Sequence, residues 1–140
     1  MNKKLPNASS RQEQKTLAFW AADCAERVLA FFEEIHPQDK RPREAIEAAR
    51  AWVRGEIKCG TARNAAFAAH AAARSANEDA ARAVARATGH AAGTAHMVGH
   101  ARHAAAYAIK AVTFSGIVPD KESGWQSRRL KTLSRRKLKL

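Results

Sequence analysis

The sequence has little of what builds β-structure or irregular loops. Its 140 residues include only seven glycines, four prolines and nine aromatic side chains (five Phe, three Trp and one Tyr). Alanine, by contrast, occurs 33 times, mostly between residues 45 and 111. Alanine is the strongest helix former, and the residue types that favour strands are sparse. The composition therefore predicts helices throughout and excludes a β-sandwich or β-barrel.

Long apolar runs and cysteines are also scarce. No apolar run approaches the roughly 18 residues that a membrane-spanning helix needs. The first ten residues, MNKKLPNASS, carry positive charge but lack the apolar segment of a secretory signal. Cys24 and Cys59 are the two cysteines, and we expect both to be buried free thiols in a reducing compartment. These features predict one soluble, cytoplasmic domain with no transmembrane segment.

Acidic residues are few, and the formal net charge of +12 is concentrated at the two ends. Residues 124–140 hold seven basic and no acidic residues, and residues 1–15 hold four basic and one acidic residue. The stretch 16–123 is nearly neutral, with 14 basic and 12 acidic residues. The basic end is typical of a solvated tail. It is also compatible with an anchor that attracts non-specific nucleic acid or anionic lipid.

Apolar periodicity divides the chain into a disordered lead-in (1–10), a single all-helical domain (11–133) and a basic tail (134–140). Gly60 is expected to end the second helix as a left-handed cap, and Thr61 and Asn77 to begin the next two. The predicted fold is all-α: an antiparallel bundle or short helical-hairpin solenoid of about five or six Ala-rich helices. The predicted helices span about 11–35, 42–57, 62–75, 77–113 (continuous, or broken near 89–93) and 120–133.

Because each alanine buries little surface, the large side chains are expected to anchor the core. They are Trp20, Phe31, Phe32, Trp52, Phe67, Tyr107, Phe114 and Trp125.

Five of the six histidines lie between residues 70 and 103. On one continuous helix, His96, His100 and His103 share a face with Tyr107. Histidines four residues apart can hold a transition metal, but no cysteine, nearby carboxylate or HExxH glutamate completes a ligand set. We therefore predict no metal site and no cofactor. Two interpretations stay open: buried rings bonded to backbone or hydroxyl groups, or a partner-binding surface.

A second stripe on the predicted third helix contains Arg63, Phe67, His70 and Arg74. It is either a half-buried face whose arginines reach into solvent or an Arg/aromatic interface patch. The sequence has no G-x-S-x-G, P-loop or Rossmann motif and no pair of carboxylates on one helix face. We therefore predict a protein without enzymatic activity and without catalytic residues.

Several segments together resemble one bacterial family, the alanine-rich immunity proteins of polymorphic toxin systems, in the immunity-five-like group. The similar segments are DKRPREAIEAARAWVRGEI (39–57), ARNAAFAAHAAAR (62–74) and ARAVARATGHAAGTAHMVGHARHAAAYAIKAV (81–112). The flanks WAADCAERVLAFFE (20–33) and Trp125-Gln126 are also similar. The most specific part is the histidine-bearing block GHAAGTAH…GH.

The resemblance implies an all-helical, non-enzymatic protein that neutralises a cognate protein toxin by binding it. The positions that match the family motifs are Arg41, Pro42, Arg43, Ile46, Trp52, Gly55, His70, Arg74, Arg86, Gly89, His90, His96, His100 and Tyr107. With Arg63 and His103 from the two stripes, the charged and aromatic members of this set are the candidate partner-binding residues. The basic tail departs from the family pattern and is the basis of the alternative function, association with nucleic acid or an anionic membrane.

Overall fold

The computed structural model describes residues 8–136, which form seven helices and no strand. This confirms the all-α class, but the predicted count of five or six helices is wrong. The first predicted helix is divided at Arg27–Val28, and the fourth is broken between Gly93 and His100. The helices are α1 (Ala8–Glu26), α2 (Leu29–Glu33), α3 (Arg41–Val53), α4 (Cys59–Ser75), α5 (Asp79–Gly93), α6 (His100–Phe114) and α7 (Asp120–Arg136).

The two predicted end segments overlap the described helices. Helix α1 begins at Ala8, inside the predicted lead-in, and α7 continues to Arg136, inside the predicted tail. The rest of both predictions, residues 1–7 and 137–140, lies outside the described residues.

Helix α5 lies at the centre of the bundle. Ten of its 15 residues are buried, which is typical of a helix with neighbours on every side. It packs against α1, α2, α3, α4 and α6, and its alanines allow these helices to approach closely. In a solenoid each unit touches only its neighbours in sequence, whereas α1 packs against α3, α5, α6 and α7. The described helices are therefore arranged as a bundle around α5.

The glycine that ends α3 is Gly55, and the predicted cap at Gly60 is wrong. Gly55 has φ +76°, and the amides of Gly55 and Glu56 donate to the carbonyls of Trp52 and Ala51. This is the Schellman arrangement, in which glycine tolerates the left-handed conformation that other residues resist. Gly60 lies inside α4, in its first turn.

The predicted N-caps are also wrong. Thr61 lies within α4, which is preceded by Lys58 in an extended conformation. Helix α5 is preceded by Glu78 rather than Asn77, and neither cap residue forms a side-chain bond to the helix. Both helices are therefore held by packing rather than by their caps.

The predicted core residues are divided between core and surface. Trp20 and Phe32 are buried, and Phe31, Tyr107 and Trp125 pack against the core. Trp52 is half-buried, whereas Phe67 and Phe114 are more than half exposed. Both cysteines were predicted to be buried. Cys24 is buried, and desolvation raises the pKa of its thiol. Cys59 is exposed, so the prediction is wrong for this residue.

Helix α7 is attached to the bundle through buried polar groups. The indole Nε1 of Trp20 donates to the Gln126 carbonyl oxygen at 2.8 Å, and Gln126 Nε2 donates to the Ala105 carbonyl oxygen at 2.9 Å. Leu133, two turns later, is also buried. Within residues 8–136, no helix is long and apolar enough to cross a membrane.

Candidate functional site

Four histidines from three helices meet beside α5. His90 of α5 lies at their centre, with ring centroids 4.9 Å from His70 of α4 and 5.0 and 5.1 Å from His100 and His103 of α6. The ring of Tyr107 stacks on His90 at 5.4 Å and 9°. We call these five side chains the imidazole cluster.

Two glycines of α5 allow the cluster to form. A Cβ atom at Gly89 would lie 2.8 Å from Cε1 and Nε2 of His70, and one at Gly93 would lie 3.2 Å from Cγ and Cδ2 of His100. Only a residue without a side chain lets both rings lie this close to the α5 backbone. The sequence pattern GHAAG (89–93) therefore has a packing reason.

The cluster corrects the predicted single stripe. His96 lies in the turn between α5 and α6, so it does not share a helix with His100, His103 and Tyr107. His70 belongs to the other predicted stripe, on α4, and His90 to neither. The structure thus joins one member of the α4 stripe to three members of the α6 stripe across α5.

The hydrogen bonds shown for His70, His90 and His100 join His90 to His100 and His70 to Arg86, whereas the first of the two interpretations left open by the sequence expected backbone or hydroxyl partners. The Nδ1 atoms of His90 and His100 lie 2.8 Å apart, so one ring donates and the other accepts. Arg86 Nη1 lies 2.8 Å from His70 Nδ1. Arginine can only donate, so His70 Nδ1 accepts and the proton of this neutral ring is on Nε2.

The surroundings keep these rings uncharged at neutral pH. Burial, followed by the positive charge of Arg86, lowers the pKa of His70 to about 4. Burial and the neighbouring His70 and His100 lower the pKa of His90 to about 3. The pKa of His100 is lowered as well, mainly by burial.

A cleft of about 220 Å³ opens from the cluster towards solvent between α4 and α6. We call it the α4–α6 cleft; it is lined by Arg63, Ala66, Phe67, His70, Gly89, Gly93, His96 and His100. Phe67 is 61% exposed at the cleft. Arg63 is exposed as well, and it has no hydrogen-bond or ion-pair partner among residues 8–136.

The remaining candidate residues lie elsewhere. Arg41 forms an ion pair with Asp39, and Arg43 forms one with Glu33. Trp52 is half-buried on α3, and Arg74 is exposed on α4, one turn beyond His70. The structure therefore brings Arg63, His70, Arg86, His90, His96, His100, His103 and Tyr107 together and leaves Arg41, Arg43, Trp52 and Arg74 outside the cleft.

Sequence reasoning missed a second polar cluster, which joins α1, α3 and α7. Asp23 accepts hydrogen bonds from Arg50 at 3.0 Å and from Arg129 at 2.8 Å. Arg27 pairs with Glu122 at 2.7 Å, and its guanidinium lies 4.0 Å from the centre of the Trp125 ring. Asp23 and Arg129 are 106 residues apart, so no spacing in the sequence indicates this contact.

Within the described part of the chain, no group of three or more His, Cys, Asp or Glu side chains has a geometry that could hold a metal ion. The imidazoles face one another and Arg86 rather than one common point. The chemistry that the cleft offers is hydrogen-bond donation beside an exposed aromatic ring.

The model of one protein family matches residues 7–133, which include α1 to α6 and most of α7. The family is described as Imm-5 like putative immunity protein. The chain belongs to this family. The resemblance found in the sequence is thereby confirmed, and the imidazole cluster and the cleft both lie inside the Imm-5 like region. No curated protein and no solved structure matches the chain.

Proposed function

We propose that this Imm-5 like protein neutralises a cognate bacterial toxin by binding it in a stoichiometric complex, without catalysis. The observation that carries the proposal is the family match over residues 7–133. The partner is then a protein, no cofactor takes part, and the complex forms in the cytoplasm, where the immunity protein protects the cell that makes the toxin.

The cleft supports a binding role. An exposed arginine beside an exposed aromatic side chain is the combination that dominates many protein interfaces. Arg63 and Phe67 provide it on one turn of α4. The imidazoles of the cleft have neither a carboxylate nor a nucleophilic side chain among the other lining residues, so the lining resembles a recognition surface more than a catalytic centre.

The test is to produce the full chain together with the protein encoded beside its gene. We expect a one-to-one complex by size-exclusion chromatography with light scattering, and loss of toxin activity at equimolar immunity protein. Protection at far less than one equivalent would indicate turnover and contradict stoichiometric binding. Failure to bind any neighbouring gene product would contradict the proposal as a whole.

The full chain is required because α7 is part of the fold. Gln126 and Leu133 are buried side chains of α7. A chain that ended before residue 126 would lack both of them and would expose core surface. The basic end is better tested by substitution than by truncation.

A second candidate function is association with nucleic acid or an anionic membrane. It is favoured by α7, which exposes Arg128, Lys131, Arg135 and Arg136 and has no acidic residue after Glu122. The variant Arg128→Gln/Lys131→Gln/Arg135→Gln changes only exposed side chains. Salt-dependent binding to duplex DNA or phosphatidylglycerol vesicles that this variant loses, without any toxin complex, would favour the second function.

A further inference from the structure

The acidic residues are absent from one side of the bundle. No aspartate or glutamate occurs between residues 57 and 77 or between residues 80 and 119. Helices α4 and α6 therefore contain no acid, and α5 contains one, Asp79, which pairs with Arg82 in its first turn. Asp23 and Glu122 form ion pairs on the α1–α3–α7 side, and Glu33 of α2 pairs with Arg43 of α3. Glu78, in the turn before α5, pairs with His36.

The α4–α6 cleft opens on this acid-free side. Its polar lining side chains are one guanidinium and three imidazoles. Arg63 supplies a guanidinium that has no ion-pair partner among residues 8–136, and the proton of His70 is on Nε2 because its Nδ1 accepts a hydrogen bond from Arg86. In the part of the chain that the structure describes, no carboxylate, amide or hydroxyl side chain lines the cleft. A ligand that accepts hydrogen bonds and carries negative charge complements this lining.

The size of the cleft limits what enters it. Small-molecule and cofactor sites generally have volumes of roughly 300–1,000 Å³, and this cleft has about 220 Å³. It is large enough for one side chain. Phe67 at the cleft gives an apolar surface on which the methylene groups of a glutamate can lie.

The surface around the cleft fits a protein better than a nucleic acid. Met97 and Val98, next to His96 in the α5–α6 turn, are 58% and 45% exposed. Nucleic-acid binding depends on many Lys and Arg contacts to phosphates, whereas among residues 8–136 Arg63 is the one Lys or Arg that lines the cleft. Exposed apolar side chains around a single cation are typical of a protein interface.

We propose that the α4–α6 cleft receives a carboxylate side chain presented by an acidic surface of the partner protein. The carboxylate pairs with the Arg63 guanidinium and accepts a hydrogen bond from His70 Nε2, while Phe67 and Met97 contact the apolar surface around that carboxylate. This inference rests on the proposed function for the identity of the partner as a toxin, but the chemistry of the cleft can be tested without the toxin.

The first experiment uses the full chain with ¹³C-labelled histidine and a hexaglutamate peptide as the probe. We expect NMR shifts of the His70, His96 and His100 rings on titration, and their loss in Arg63→Glu. The control is Arg128→Glu on α7, which makes the same change in net charge at another exposed arginine. Both substitutions are at exposed positions, and circular dichroism checks that the helices are retained.

Three results of this titration would contradict the proposed carboxylate site. Equal loss of the shifts in Arg63→Glu and Arg128→Glu would show that binding depends only on net charge. It would overturn the proposal that the carboxylate binds in the cleft. Shifts confined to His36, which lies outside the cleft, or no shifts at all, would also overturn the proposal. Cleft shifts caused by a 12-base-pair DNA duplex but not by hexaglutamate would identify phosphate as the ligand and overturn the protein partner.

The second experiment measures toxin affinity by calorimetry. We expect Arg63→Glu and Phe67→Ser each to weaken binding at least about tenfold, and Arg128→Glu to change it by less than about twofold. Wild-type affinity in both Arg63→Glu and Phe67→Ser would overturn the proposal that the cleft binds the toxin, and would leave the immunity function intact. If no toxin binds but hexaglutamate enters the cleft, the immunity function fails and the carboxylate site stands.

Discussion

Gly89 determines where the His70 ring can lie. The imidazole of His70 covers the α carbon of Gly89 so closely that a Cβ atom would be 2.8 Å from two of its ring atoms. The ring cannot move outward freely, because its Nδ1 accepts a hydrogen bond from Arg86. One missing methyl group thus makes room for both the cluster and the floor of the cleft.

We expect Gly89→Ala to destabilise the protein by roughly 1–2 kcal/mol in urea unfolding. Alanine adds up to about 1 kcal/mol of helix propensity, but overpacking costs about 1–3 kcal/mol and the bond from Arg86 to His70 is lost. The control is Gly60→Ala in α4, where a Cβ atom meets nothing within 4 Å. A Gly89→Ala variant as stable as Gly60→Ala would show that the close contact has no energetic consequence.

The imidazole cluster should make stability fall on mild acidification. In the unfolded chain a histidine has a pKa near 6.5, whereas the folded pKa values are about 4 for His70 and about 3 for His90. The unfolded state therefore binds more protons below pH 6.5, and acid favours unfolding; above pH 6.5 the rings are neutral in both states. Arg86 and Arg74 on α5 and α4, and the histidines of α6, all oppose a positive charge here.

Between pH 7 and pH 5 we expect a loss of roughly 1–2 kcal/mol in the free energy of unfolding, a modest value because both rings are partly exposed and solvent screens their charges. The paired carboxylates Glu26 and Asp39 have lowered pKa values, so their contribution to stability is lost only below about pH 4.5.

His90→Phe should flatten the profile of unfolding free energy against pH between pH 5 and 6.5. His36→Gln, at a surface ion pair, should not. An unchanged profile in His90→Phe would contradict the assignment to the cluster.

At the scale of the helices, Asp23 connects three elements. It lies on α1, and its two carboxylate oxygens accept from Arg50 of α3 and Arg129 of α7. Its side chain is 13% exposed, whereas Asp79, which pairs with Arg82 within α5, is 60% exposed. Exposed pairs contribute little, while removing one partner of a buried pair leaves the other charges uncompensated.

We therefore expect Asp23→Asn to lower the free energy of unfolding by about 2 kcal/mol and Asp79→Asn by less than about 0.5 kcal/mol. Chemical denaturation of both variants at pH 7 measures the difference. Equal effects would show that the Asp23 contacts do not hold α7 to the bundle.

The helices themselves were predictable because alanine content and apolar period are local properties. The ends of the helices were less predictable. Gly55 and Gly60 both follow apolar segments, and only the three-dimensional packing determines that Gly55 is the glycine that ends α3. The imidazole cluster was unpredictable for a related reason. Periodicity relates residues on one helix, but the ring at the centre, His90, meets partners from α4 and α6 that no spacing connects.

At the scale of the whole molecule, charge and packing are organised around the same helix. The ion pairs of Asp23 with Arg50 and Arg129 join α1, α3 and α7 on one side, and the acid-free helices α4 and α6 cover α5 on the other. No ion pair among residues 8–136 involves α4 or α6, so these helices must be held by alanine packing and by the imidazole cluster. Stability and the proposed recognition surface therefore depend on the same residues of α5.

Hydrogen exchange should show this arrangement directly. Amides exchange most slowly where opening requires global unfolding, and α5 packs against five other helices. We expect α5 to have the slowest amides by mass spectrometry, and α2 and the exposed last turn of α7 (134–136) to have the fastest among the described helices. If α4 or α6 exchanged well before α5, the cleft would open locally, and partner binding would require an ordering step. Slow exchange in all three helices would instead show a preformed cleft, so that little ordering entropy is lost on binding.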